Sequence, residues 1–248
     1  MSMMLAAVSM STGCRLAELF DGTSVATVKV FATRAGTPSD DLQFPDHGDA
    51  GSNRVFVNDM GWQVSLDEAY VTTAEVDLVR CASEATPLEM FWGPCAEDFV
   101  ITDDRTTLAL GAVTVDDGDF CRLDVTFAPY MIVPESEQHV KPSNPAVEGN
   151  TVYIVGVARM GEGDDLVEVP FEVITAASVT AELDLSEIDD NRPLHLEDEL
   201  YPRDLTVLKT YDTFFEGVDF ATASPAEIEA AVLSALELDT RVYNGARV

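Results

Sequence analysis

The sequence predicts a mainly β protein: an antiparallel β-sandwich with one C-terminal helix. Three observations carry this. Short runs rich in Val, Ile, Thr, Tyr and Phe recur along the chain, separated by Gly, Pro, Asn and Asp. Several of these runs alternate apolar and polar residues, the pattern of a sheet with one wet face. One late segment has the 3.6-residue period of a helix instead.

The elements follow in order. Ser24 to Thr33 alternates valines with polar residues, and residues 34 to 53 read as a long loop rich in turn formers. Arg54–Asn58 and Trp62–Leu66 flank Asp59-Met60-Gly61, a tight hairpin connection. Tyr70, Thr72, Ala74, Val76 and Leu78 mark a longer strand. Further runs lie at 107–115, 120–127, 151–159, 166–174, 179–185 and 204–211. In Val179, Ala181 and Leu183 one face is apolar, with Thr180, Glu182 and Asp184 on the other. Ser224-Pro225-Ala226-Glu227 has capping-box spacing with Pro at the first helical position. Ile228, Ala231, Val232, Ala235 and Leu236 then form one stripe, giving a helix over about 225–238. The second half alone offers few strands to cover two sheet faces, so residues 15–248 are expected to form one domain.

Composition narrows the function. The chain has 248 residues and is 46% hydrophobic, ample for a core. Its net charge is −31, and only Lys29, Lys141 and Lys209 are lysines. Such repulsion disfavours nucleic acid and anionic membrane surfaces. The acids are spread along the chain, which favours tolerance of high salt over dedicated cation sites. The clusters Asp116-Asp117-Gly118-Asp119, Glu162-Gly163-Asp164-Asp165 and Glu187-Ile188-Asp189-Asp190-Asn191 offer oxygen ligands for calcium, but none has the EF-hand pattern, and solvated turns are the plainer reading. The chain has no G-x-S-x-G and no Gly-rich phosphate loop. Its histidines, His47, His139 and His195, sit in no nucleophilic motif. The chain is therefore expected to be non-catalytic.

The four cysteines suggest where it works. Met4 to Cys14 is a short apolar run ending in small residues and a cysteine. It resembles the lipobox of bacterial lipoproteins, although no Lys or Arg precedes Cys14. The resemblance implies that residues 1–14 are a signal segment, that Cys14 is acylated, and that the protein is exported and lipid-anchored to a membrane of the cell envelope. Export permits a disulfide. By strand alternation Cys121 lies on the inward face with Leu123, Val125 and Phe127, and Cys81 ends another strand run. This favours a Cys81–Cys121 bridge over one from Cys95 to either, although spacing does not assign connectivity. Cys95 is then the odd thiol. It closes a stretch, 81–95, in which Met90, Trp92 and Cys95 could join a histidine such as His47 around copper, which prefers soft ligands. The plainer reading is a proline-bounded loop with Phe91 and Trp92 packed on the sandwich.

A wider resemblance rests on the order of four motifs: Arg54 to Val71, Val76 to Cys81, Asp117-Gly118-Asp119-Phe120-Cys121, and Phe215-Glu216-Gly217-Val218-Asp219-Phe220. In that order they resemble uncharacterised exported bacterial lipoproteins. More remotely, the 54–71 hairpin is similar to the periplasmic copper-binding β-sandwich proteins associated with methanobactin operons. The resemblance implies a non-catalytic envelope binding module, for copper or another transition metal. In those lipoproteins the segment after the first cysteine carries histidines. Here Glu89 to Cys95 has none, which leaves Met90 and Cys95 as substitutes. The alternative expectation is a structural or interaction module of the envelope with incidental calcium.

Overall fold

The computed structural model describes residues 25–36, 54–100, 107–132, 142–197 and 201–246. In chain order the first strands are β1 (Val25–Ala35), β2 (Arg54–Val57), β3 (Gln63–Arg80), β4 (Ala85–Pro87), β5 (Glu89–Met90), β6 (Cys95–Asp98) and β7 (Leu108–Asp116). They continue with β8 (Gly118–Phe127), β9 (Val152–Met160), β10 (Val167–Thr175), β11 (Val179–Asp184), β12 (Leu194–Leu196), β13 (Arg203–Thr210) and β14 (Arg241–Asn244). The helix, α1, spans Pro225–Leu238.

These strands form two sheets around a shared apolar core, the arrangement that the alternating runs predict. The first sheet has the order β14-β13-β1-β7-β5. The second runs β10-β9-β3-β8-β11, with β2, β4 and β6 also paired to β3, and β12 to β8. Pairing is antiparallel with one exception: β1 and β13 run parallel, from Val28 beside Arg203 to Ala35 beside Thr210. Inward positions alternate as expected. Val28, Val30 and Ala32 of β1 face the core, as do Leu205 and Val207 of β13.

Two runs that alternation separates, 62–66 and 70–78, are one 18-residue strand, β3. A bulge between Leu66 and Glu68 adds a residue, so the buried set moves from Val64 and Leu66 to Ala69 and Val71 without breaking the strand. The hairpin before it is built as predicted. Gly61 adopts φ +85° and donates its N–H to Asn58 O at 3.0 Å. The Asn58 side chain is buried, and it ties this hairpin to the 215–220 segment. Its Nδ2 donates to Phe215 O at 3.0 Å and Val218 O at 2.8 Å, while its Oδ1 accepts from Trp62 N. Phe171, Phe215 and Phe220 pack with ring centroids 4.9–5.6 Å apart, and Trp62 meets Phe220 edge-on at 5.8 Å.

α1 carries the predicted capping box, with Ser224 and Glu227 bonded reciprocally. Those bonds hold the Glu227 carboxyl below the ordinary glutamate range. Ile228, Val232, Ala235 and Leu236 are buried, and the helix packs against β10, β11 and β13. No helix among the described residues is long and apolar enough to cross a membrane.

The disulfide joins Cys81 and Cys121, with Cα atoms 4.8 Å apart. The pairing matches the one that alternation favours, but the placement differs. An irregularity between Val79 and Arg80 shifts the β3–β8 register, so the fully buried position at this end goes to Phe120. Cys121 is only half-buried and Cys81 is exposed. The bridge therefore pins the margin of the second sheet rather than its centre.

Candidate functional site

The stretch from Cys81 to Cys95 is where the chain crosses between the sheets. β4 pairs with β3 in the second sheet, placing Pro87 beside Asp77. Leu88 is buried and donates its N–H to Val76 O at 2.9 Å. The next two residues then pair with β7 in the first sheet, Glu89 beside Ala112 and Met90 beside Gly111. After Gly93, at φ +70°, β6 returns to the second sheet with Cys95 beside Thr73. The crossing needs a glycine at 111. A Cβ there would lie 2.4 Å from Glu89 O, so any side chain would push β5 off the sheet.

This geometry separates the soft donors. Met90 is half-buried, packed against the main core. It also lines an open groove of about 530 Å³ with Pro87, Leu88, Pro94, Pro129 and Met131. Met131 is 61% exposed and brings a second thioether to the same groove from the segment after β8. Cys95 is only 3% exposed and belongs to the core. Its thiol is pushed up to about 12, first by burial and then by Glu97, with Lys209 opposing. Such a thiol is protonated and inert at neutral pH. Ellman's reagent should therefore leave Cys95 untouched in native, disulfide-intact Cys14→Ser protein and titrate one thiol after denaturation. Rapid native labelling would contradict this burial.

His47 and Cys14 lie outside the described residues, as does His139. His195 sits in β12, exposed, with its Nδ1 2.8 Å from Asp119 Oδ1. That hydrogen bond raises the imidazole pKa above its ordinary value, which favours the charged ring over a neutral base or metal ligand. Two of the acidic stretches are turns, whereas Asp116–Asp119 spans the end of β7 and the start of β8. Glu162 leads into a single 3-10 turn over Gly163–Asp165, and Asp190 takes positive φ beyond a second. Among the described residues no three His, Cys, Asp or Glu side chains come together in a metal-holding group. Phe91 does not pack down as the loop reading has it, but is 43% exposed, and Trp92 is half-buried. The larger groove beside β10 and α1, about 650 Å³, is lined by Phe171, Phe220 and Ile228 with Asp67, Glu172 and Glu229. It presents no thioether, thiol or imidazole.

Two features escape motif reading. Met131 lies in Ala128-Pro129-Tyr130-Met131, and the proline just past a strand end was the available sign that the chain turns back over the groove. The second is a pair of charges inside the sandwich. Lys209 of β13 and Glu97 of β6 are in direct contact, with their side chains 0% and 1% exposed. Lys209 continues the inward series Leu205, Val207, and a charge at a core position of a clear alternation was a signal. Arg54 is also fully buried. It donates through Nε to Phe99 O at 2.6 Å and lies 4.8 Å from the centroid of the Tyr211 ring.

No protein-family profile matches the chain. No curated protein matches it by sequence. Among solved structures it is similar to MbnP from Methylosinus trichosporium, at 11% identity and a TM-score of 0.41, over 90% of this chain and 99% of that one.

Proposed function

We propose that this chain is a non-catalytic binding module of the cell envelope, exported and held at a membrane through Cys14, and that it takes copper(I) or another soft ion. The observation that carries the ligand class is the convergence of Met90 and Met131 on one proline-walled groove. Thioethers bind soft, low-charge ions and are poor ligands for calcium or magnesium. Bound there, the ion would sit against Pro87, Pro94 and Pro129, which restrict the backbone carrying both sulfurs. Export is supported by the Cys81–Cys121 bridge, since disulfides persist in oxidising compartments. The charge of −31 argues against nucleic acid as a partner.

Competition with a colourimetric copper(I) chelator tests the reading. Met90→Ala and Met131→Ala should each weaken copper(I) affinity by about tenfold or more, equivalent to about 1.4 kcal/mol. Cys95→Ser should leave it unchanged, and His47→Ala reports whether an imidazole completes the set. Affinity indifferent to both methionines would remove the groove as the site.

A further inference from the structure

The charges inside the sandwich point to a covalent site. Lys209 and Glu97 come from opposite sheets and meet between them. Their neighbours on the inward face are apolar: Leu205 and Val207 on β13, Cys95 and Phe99 on β6. The contact has an unusual character. Among the described residues, neither Glu97 oxygen nor the Lys209 nitrogen makes a hydrogen bond, to each other or to any other group. A buried ion pair ordinarily survives only when hydrogen bonds satisfy its remaining lone pairs and protons. Here the amine nitrogen lies in contact with Glu97 Oε1, which brings it beside the carboxyl carbon that carries that oxygen.

We propose that Lys209 and Glu97 condense to an intramolecular isopeptide bond that ties the two sheets together. Transfer of one proton across the contact gives a neutral amine and a neutral carboxylic acid, the forms that an apolar interior favours. The Nζ lone pair attacks Cδ of Glu97 and the Nζ–Cδ bond forms. The Cδ–O bond then breaks, and the hydroxyl leaves as water with a proton from the nitrogen. Amine and acid become amide and water, so no oxidant or cofactor enters. Holding the two groups in contact supplies the effective concentration that the uncatalysed condensation lacks. The product is uncharged, which removes the desolvation penalty of the pair. The Thr73 hydroxyl, buried without a hydrogen-bond partner among the described residues and beside Cys95 in the β3–β6 register, is a protic group on the same face.

Peptide mapping of the full chain, purified folded and then reduced and denatured, tests this. Trypsin does not cut after an acylated lysine. The bond therefore predicts a branched product joining residues 81–105 to residues 204–241, one water lighter than the two free peptides, with fragmentation placing the link at Glu97 and Lys209. Release of the 204–209 peptide in full yield, with its Lys209 amine free, would overturn the proposal. Glu97→Ala should abolish the branch. A branch that persists in that variant would place the link elsewhere and overturn it equally.

Discussion

Lys209→Met is expected to lower the free energy of unfolding by about 3–5 kcal/mol, because it strands a buried carboxyl group without its partner. Equilibrium denaturation in guanidinium reads the change. Adding Glu97→Leu to the same chain should recover the part of the loss that comes from the stranded carboxyl group, since an apolar pair of similar volume is often neutral against a buried ion pair. The sign pattern holds whether the two side chains are linked or only paired, because either way Glu97 sits 1% exposed between the sheets. A loss below about 1 kcal/mol for the single variant, the scale of an exposed pair, would contradict that burial.

The second large effect is that of the bridge. Cys81 and Cys121 are 40 residues apart in sequence, and closing a loop of that size stabilises by about 4 kcal/mol in the chain-entropy treatment. Replacing both cysteines with serine should shift the denaturation midpoint accordingly, and reduction of the native protein should do the same. The bridge fastens the exposed end of β3 to β8. The change should therefore act through the unfolded ensemble and leave the core packing as it is. An unchanged midpoint would mean that this end of the sheet is held by its ladder alone.

The fold was legible because its information is local. Alternation in Val179 to Asp184 is a property of six consecutive residues, and the Ser224–Glu227 cap of four. The failures come from bulges and long-range placement. The extra residue at Asp67 in β3, and the one at Cys121 in β8, each change which face the residues on either side of them share, and nothing in the local pattern announces them. That is why alternation alone places Cys121 inward while Phe120 takes the core position. The site was legible only in part. Met90 was visible beside Cys95 because they are near in sequence, but they pair with different sheets. Met131 joins Met90 from a segment that lies beyond β7 and β8 in the chain, a proximity that only the tertiary fold creates.

The parallel pairing of β1 with β13 has a kinetic consequence. Residue 28 must find residue 203, so the first sheet cannot close until the segment from residue 203 onward has been made. Contacts of such sequence separation slow folding, because the entropy of bringing distant segments together is lost before any packing is gained. During synthesis β1 has only β7 to pair with, and its other edge waits, unpaired, for the last quarter of the chain. A protein built this way reaches its native topology late, and its valine-rich N-terminal strand is the segment that a holding chaperone would shield in the interval.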